Sequence, residues 1–204
     1  MAAPLVFLGL AVLFLFFNPL GLESALAERL FAAYGRNLVA PADLSVRPTS
    51  DKVRQAIFNI LEHSDLGTFR LEGARVVDLF AGTGALGLEA LSRGARSADF
   101  VEFRPASLHA LKANVVALRM RERTRIFKRD ALPFAAALPE GSYDVAFADP
   151  PYESRMLDRV IEHWQASRFA RVLAVEHART HELPRGAQRR AFEDTLVTIY
   201  RADR

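Results

Sequence analysis

Four acidic side chains, each within or close behind a short apolar run, could do chemistry together in this chain; they are Asp78, Glu102, Asp130 and Asp149. Apolar runs such as residues 76–80, which only Asp78 interrupts, are typical of buried parallel strands. In parallel sheets, ligands bind beyond the carboxyl ends of the strands. One acid at such a place is usually a solvated loop residue. Four acids at successive strand ends predict a shared ligand site.

A glycine loop, Gly82-Thr83-Gly84, follows the first of these acids and leads into a segment with helical spacing. With Gly87, the glycines fit the pattern G-x-G-x-x-G between a strand and a helix. Glycine permits a tight turn and close approach of a ligand, and the helix N-terminus offers unpaired N–H groups. The pattern is typical of nucleotide-cofactor sites. Several cofactor classes share it, and a tight turn without a ligand has the same spacing.

Two of the acids suit a nucleoside. Glu102 lies 15 residues after Gly87, at the end of the next predicted strand. A carboxylate at that place can accept hydrogen bonds from both hydroxyls of a ribose. Asp130, after the third predicted strand, can accept one from an adenine amino group.

The fourth acid belongs to the run Asp149-Pro150-Pro151-Tyr152. Two consecutive prolines fix φ and remove two backbone donors, so this segment presents carbonyl groups without competing N–H groups. Asp149 and the Pro150 carbonyl can accept both hydrogens of an exocyclic amine while Tyr152 stacks on the ring that bears it. Alone, the run would be read as a loop cap. After the fourth strand of a cofactor-binding sheet, it predicts a planar ligand whose exocyclic amine is turned towards an electrophile.

The chain resembles class I S-adenosylmethionine-dependent methyltransferases and, more narrowly, the bacterial family that methylates the N2 amine of a guanine in 16S ribosomal RNA. The resemblance extends from about Tyr34 to the end of the chain. It rests on RPTSDKVRQAIFNIL (47–61), VVDLFAGTGALGLEALSRGA (76–95), FVE (100–102), RDAL (129–132), DPPY (149–152) and EDTLVTIYR (193–201).

The resemblance implies S-adenosylmethionine as cofactor and 16S rRNA of the small ribosomal subunit as partner, with a monomeric cytoplasmic protein and no metal. The implied cofactor-binding residues are Asp78, Phe80, Gly82, Thr83, Gly84, Glu102, Asp130 and Ala131. The implied catalytic residues around the guanine are Asp149, Pro150, Pro151 and Tyr152. RNA contacts are expected from Arg36, Arg47, Thr49 and Tyr152.

The alternation of predicted strands and helices indicates an α/β fold with a parallel sheet covered on both faces. Residues 188–192 and 195–200 predict a closing antiparallel hairpin at the edge of that sheet. The resemblance narrows this to a Rossmann-like class I methyltransferase fold with a mostly parallel seven-stranded sheet. An amphipathic helix is predicted ahead of the first strand, with apolar residues recurring from Val53 to Leu61.

The N-terminal segment departs from the family, which usually opens with a short basic β-hairpin. The first 22 residues carry no charged side chain, and 5–17 is apolar apart from Gly9. The segment resembles a signal peptide without a basic n-region, and it is marginal in length for crossing a bilayer. A third interpretation is that it is not ancestral. We expect a non-ancestral or signal-like segment over 1–32 and a methyltransferase domain over 33–204, with no functional role for membrane contact through residues 2–22.

Composition adds little. The chain has 204 residues, a net charge of +3, no Cys and five His without metalloprotease spacing. The small basic excess, nearly all Arg, supports a nucleic-acid partner only weakly. Two alternatives stay open: methylation of an adenine N6 amine in DNA or RNA, and a membrane-tethered or inactive cofactor-binding module. An NAD-dependent oxidoreductase has no candidate proton donor near the glycine loop.

Overall fold

A computed structural model describes residues 51–67, 69–150, 155–192 and 195–202. Its strands are β1 (Arg75–Asp78), β2 (Ser97–Val101), β3 (Thr124–Phe127), β4 (Tyr143–Ala148), β5 (Ala170–Ala178), β6 (Gln188–Ala191) and β7 (Thr195–Arg201). Its helices are α1 (Asp51–His63), α2 (Ala85–Ser92), α3 (Pro105–Ala117), α4 (Ala131–Ala136) and α5 (Met156–Ser167), with a 3₁₀ turn at Arg121–Arg123.

The strands form one seven-stranded sheet in the order β3-β2-β1-β4-β5-β7-β6. The first five strands along the chain are parallel, and β7 runs antiparallel to both β5 and β6. The predicted Rossmann-like class I fold with a C-terminal antiparallel hairpin is therefore confirmed. One detail differs from the prediction of two edge strands: β7 is an interior strand between β5 and β6. Its alternate side chains Val197 and Ile199 are fully buried, whereas all four residues of β6 are exposed.

Alternation along the strands divides the core between two faces of the sheet. On the first face, Val76, Phe100 and Phe147 pack with apolar residues of α1, α2 and α3. On the second face, Val77 and Leu173 pack with α4 and α5. The apolar spacing predicted for α1 is confirmed, because this spacing gives the helix one buried side.

A polar cluster around the buried carboxylate of Asp99 crosses the second face. Asp99 of β2 accepts hydrogen bonds from Arg125 of β3 at 2.8 Å and 2.5 Å and from the Tyr143 hydroxyl of β4 at 2.7 Å. Burial, followed by the hydrogen bond to Asp99, raises the pKa of Tyr143. Since β1 lies between β2 and β4, this cluster joins strands that are not neighbours.

The N-terminal predictions lie outside the described residues: the segment over 1–32, the domain boundary at 33, and the RNA contacts at Arg36, Arg47 and Thr49. Within the described ranges, no helix is both long enough and apolar enough to cross a bilayer.

Gly87 brings α2 close to the sheet. A Cβ atom at this position would overlap the ring of Phe100 on β2, which is fully buried. In the G-x-G-x-x-G pattern, the third glycine has this packing role.

We expect Gly87→Ala to destabilise the protein by about 1–2 kcal/mol, because overpacking costs about 1–3 kcal/mol and outweighs the helix propensity gained, about 1 kcal/mol. Urea unfolding measures the change. The double variant Gly87→Ala with Phe100→Leu should recover part of the loss, since the smaller side chain makes room. A Gly87→Ala protein as stable as the wild type would contradict the close contact.

Candidate active site

The sheet has a switch point between β1 and β4. From β1 the chain proceeds outward through β2 and β3, and from β4 it proceeds in the other direction to β5. Ligands of such sheets bind at the carboxyl ends of the strands on either side of this point. Asp78 ends β1, Glu102 directly follows β2, Asp130 follows β3 and Asp149 directly follows β4. The structure therefore brings the four predicted acids to one edge of the sheet.

The glycine turn needs the backbone conformations that glycine allows. Gly82 has φ of 54° and Gly84 has φ of 87°, and Gly84 caps the N-terminus of α2 in the left-handed region. A Cβ atom at Gly84 would also lie 2.5 Å from a methyl carbon of Leu111. From the same helix as Leu111, the Asn114 amide donates to the Thr83 carbonyl at 3.0 Å. The turn is thus fixed by its own geometry and by α3.

Asp78 contacts the first turn of α2, which directly follows the glycine turn. Its carboxylate is only 2% exposed and accepts the backbone N–H of Gly87 at 3.1 Å. Burial raises the pKa of Asp78 from 3.8 to about 7. The Gly87 N–H opposes that shift, the negative charge of Glu102 adds to it, and the Phe80 N–H opposes it. A carboxyl in this state favours a cationic ligand, because a positive charge nearby would stabilise its ionised form.

Glu102 holds the near end of the turn. It is 4% exposed, and its Oε2 accepts the Gly82 N–H at 2.9 Å. Its Oε1 accepts the N–H groups of Phe103 at 2.9 Å and Arg104 at 2.8 Å, where α3 begins. The Arg104 guanidinium lies 3.4 Å from the same oxygen. Two ribose hydroxyls binding at this carboxylate would therefore have to share it with Arg104.

Asp130 has a structural role that the sequence reasoning did not assign. Its side chain caps α4 by accepting the Leu132 N–H at 2.9 Å. The residue is exposed, and the following Ala131 is buried. One carboxylate oxygen of Asp130 is thus engaged in capping, and its predicted contact with adenine stays a prediction.

Phe103 is a candidate that the sequence reasoning missed. Its side chain is 59% exposed directly after Glu102, where a flat apolar surface suits the face of an adenine. The signal in the sequence was an aromatic residue immediately after Glu102, the acid predicted to bind the ribose. Phe80, also predicted to contact the cofactor, is half-buried after β1.

Only part of the Asp149–Tyr152 run is described. Asp149 is half-buried and Pro150 is buried at the end of β4. Pro151 and Tyr152 lie outside the described residues. Within the described part of the chain, no cluster of three or more His, Cys, Asp or Glu side chains could hold a metal ion.

These features fit S-adenosylmethionine. Its amino acid part is cationic at the amine, which suits Asp78, and its ribose suits Glu102. The glycine turn brings these two acids together in backbone conformations that only glycine adopts readily, at Gly82 and Gly84. Together with the strand order, the site defines a class I methyltransferase.

The chain belongs to the family described as Conserved hypothetical protein 95, whose model matches residues 32–194. A relative in Bacillus subtilis (strain 168), YlbH, named provisionally as an rRNA methyltransferase, is 37% identical over 155 residues, or 74% of this chain and 81% of that protein. Ribosomal RNA small subunit methyltransferase D of Escherichia coli (strain K12) is 36% identical over 128 residues, or 62% of this chain and 60% of that protein.

Among solved structures, yhhF of Escherichia coli, provisionally named a methyltransferase, aligns with a TM-score of 0.67 at 29% identity. The alignment covers 82% of this chain and 92% of that one. The family resemblance predicted from the sequence is therefore confirmed.

The raised pKa of Asp78 gives a pH-dependent prediction. Its folded pKa of about 7 exceeds the unfolded value of 3.8, so its contribution to stability is largest below pH 3.8 and is lost as pH rises towards 7. Asp78→Asn removes this titration. Between pH 5 and pH 8, the free energy of unfolding of the variant should therefore gain about 2–3 kcal/mol relative to the wild type.

Urea unfolding of both proteins at the two pH values measures that gain, and isothermal titration with S-adenosylmethionine should show weaker binding by the variant. A stability difference that does not change between pH 5 and pH 8 would show that Asp78 titrates normally.

Proposed function

We propose that this protein transfers a methyl group from S-adenosylmethionine to the exocyclic N2 amine of a guanine in 16S rRNA of the small ribosomal subunit. The observation that carries the proposal is the position of Asp149 and Pro150. They follow β4 at the switch point, beside the strand that leads into the glycine turn. The names of the Bacillus subtilis and Escherichia coli relatives support ribosomal RNA as the substrate.

The cofactor side of the site would comprise Asp78, the turn 82–84 and Glu102. When bound, S-adenosylmethionine supplies an electrophilic methyl group on a sulfonium sulfur. The protein would fix the backbone around that methyl group, since Glu102 accepts the Gly82 N–H in the turn and Asp78 accepts the Gly87 N–H in the helix that follows it. Catalysis would come mainly from positioning and electrostatics.

The amine side would be formed by Asp149 and the Pro150 carbonyl. The lone pair of an exocyclic amine is delocalised into the base and is a poor nucleophile. Two acceptors that hold both N–H bonds would turn this lone pair towards the methyl carbon. The sulfonium cofactor would supply the methyl group and leave as a neutral thioether, while Asp149 would accept the proton that the amine nitrogen loses and pass it to water.

Exposed arginines near the site support an RNA substrate. Arg155 and Arg159 lie at the start of α5, directly after the Asp149–Tyr152 run, and Arg179 and Arg185 follow β5. Guanidinium groups bind phosphates in a planar, two-pronged geometry. We propose that they add to the contacts expected from Arg36, Arg47 and Thr49. On this proposal the protein acts as a monomer in the cytoplasm, where small ribosomal subunits are found.

The same acceptor pair suits the N6 amine of adenine, so adenine methylation is the second candidate. An inactive cofactor-binding module is the third, and the intact turn and acids at the strand ends disfavour it.

The full chain incubated with labelled S-adenosylmethionine and small ribosomal subunits that lack the modification should place label in N2-methylguanosine after digestion of the RNA to nucleosides. Label in N6-methyladenosine would establish the second candidate. Absence of label, with cofactor binding shown by titration, would indicate the inactive module.

Asp149→Ala should lower kcat by roughly 10²–10³-fold, because one of two acceptors that orient the amine is lost. Cofactor affinity should stay unchanged, since Asp78 and Glu102 are intact. Glu162→Ala, an exposed acid of α5, is the matched control and should have wild-type activity. Retained activity of Asp149→Ala would exclude this role.

A further inference from the structure

A second acid lies beside Asp149, on the neighbouring strand. The pairing of β4 with β5 ends at Ala148 and Val175, and the next residues are Asp149 and Glu176. Phe147 and Ala174, which precede them on the same face, both belong to the core of the first face. Alternation therefore puts Asp149 and Glu176 on one face and at one level, on adjacent strands about 5 Å apart.

Glu176 is buried, with 6% of its surface exposed. From the other side, β7 contacts it: the Thr195 hydroxyl lies 3.5 Å from Glu176 Oε1 and donates to the His177 carbonyl at 2.8 Å. Earlier residues of β5 on this face, such as Val172, are apolar. A carboxylate here loses hydration, and buried titratable groups at an active-site edge are typical of functional residues.

We propose that Glu176 determines the choice of base by accepting the N1–H of the target guanine while Asp149 and Pro150 hold its N2 amine. This inference rests on the function proposed above and deepens it. Guanine presents N1–H and the N2 amine as adjacent donors, so two neighbouring acceptors match it. Adenine presents an acceptor, N1, next to its N6 amine, and that lone pair would face the Glu176 carboxylate.

The expected selectivity is large. A site built around a hydrogen bond rejects an analogue that cannot make it by about 10⁴–10⁵-fold, because the buried polar group is then left without its partner. Repulsion between two lone pairs adds to this rejection. Asp149 alone cannot select in this way, since the amines of guanine and adenine both offer two hydrogens.

2-Aminopurine tests this role directly. It keeps the N2 amine of guanine, but its N1 is an acceptor and not a donor. The test uses small subunits assembled with 16S RNA that carries either guanine or 2-aminopurine at the methylated position, located by mapping the label from the first assay. The full-length wild type should prefer guanine by at least about 100-fold in kcat/KM.

Glu176→Gln should shift this preference towards 2-aminopurine by at least about 100-fold, because the glutamine amide can donate to the unprotonated N1. Its affinity for S-adenosylmethionine should equal that of the wild type. A purely structural role for Glu176 would lower both rates together and leave their ratio unchanged.

Two results would overturn the inference while the proposed function stands: equal use of both bases by the wild type, or an unchanged ratio in a Glu176→Gln protein that binds cofactor normally. If the variant does not fold, the wild-type ratio alone decides. Failure of the proposed function is distinguishable, because the wild type would then place no label on guanine N2 at all.

Discussion

Two buried carboxylates hold the glycine turn, and the candidate site depends on this arrangement. Glu102 accepts the N–H of Gly82 at one end, and Asp78 accepts the N–H of Gly87 at the other. Both acids are almost fully buried. Burial, with a smaller contribution from the negative charge of Glu102, raises the pKa of Asp78 to about 7. The turn is therefore held in place before any ligand binds, and a cationic ligand would offset the cost of ionising Asp78.

The two faces of the sheet carry acids with different surroundings. The first face carries Asp78, Asp149 and Glu176 at its edge, each continuing a series of apolar core residues on its own strand. The second face carries the Asp99 cluster, which joins β2, β3 and β4. The acids proposed to bind ligands and the acid that supports the sheet are thus separated by strand parity, and a shift of one residue would exchange the two faces.

Most of the fold was predictable from the sequence, because apolar runs, glycines and prolines act locally. The positions of Asp78, Glu102 and Asp149 at one edge followed from the strand predictions alone. The capping role of Asp130 was harder to predict, since a capping residue and a ligand-binding residue look alike in a loop. Glu176 was missed because its proposed role depends on its register with Asp149. The residues of β4 and β5 do not by themselves indicate how the two strands pair. The Asp99 cluster was missed for the same reason.

Both outer strands of the sheet carry arginine side chains. Arg125 lies on β3, and Arg189 and Arg190 lie on β6, which is exposed along its whole length. An outer strand has backbone groups that another molecule's strand could pair with, and charged side chains hinder this addition. The charge of Arg125 is balanced by Asp99, so it is the two arginines of β6 that make two copies meeting along this strand repel each other. The sheet can thereby keep its β6 border open without closing into a barrel.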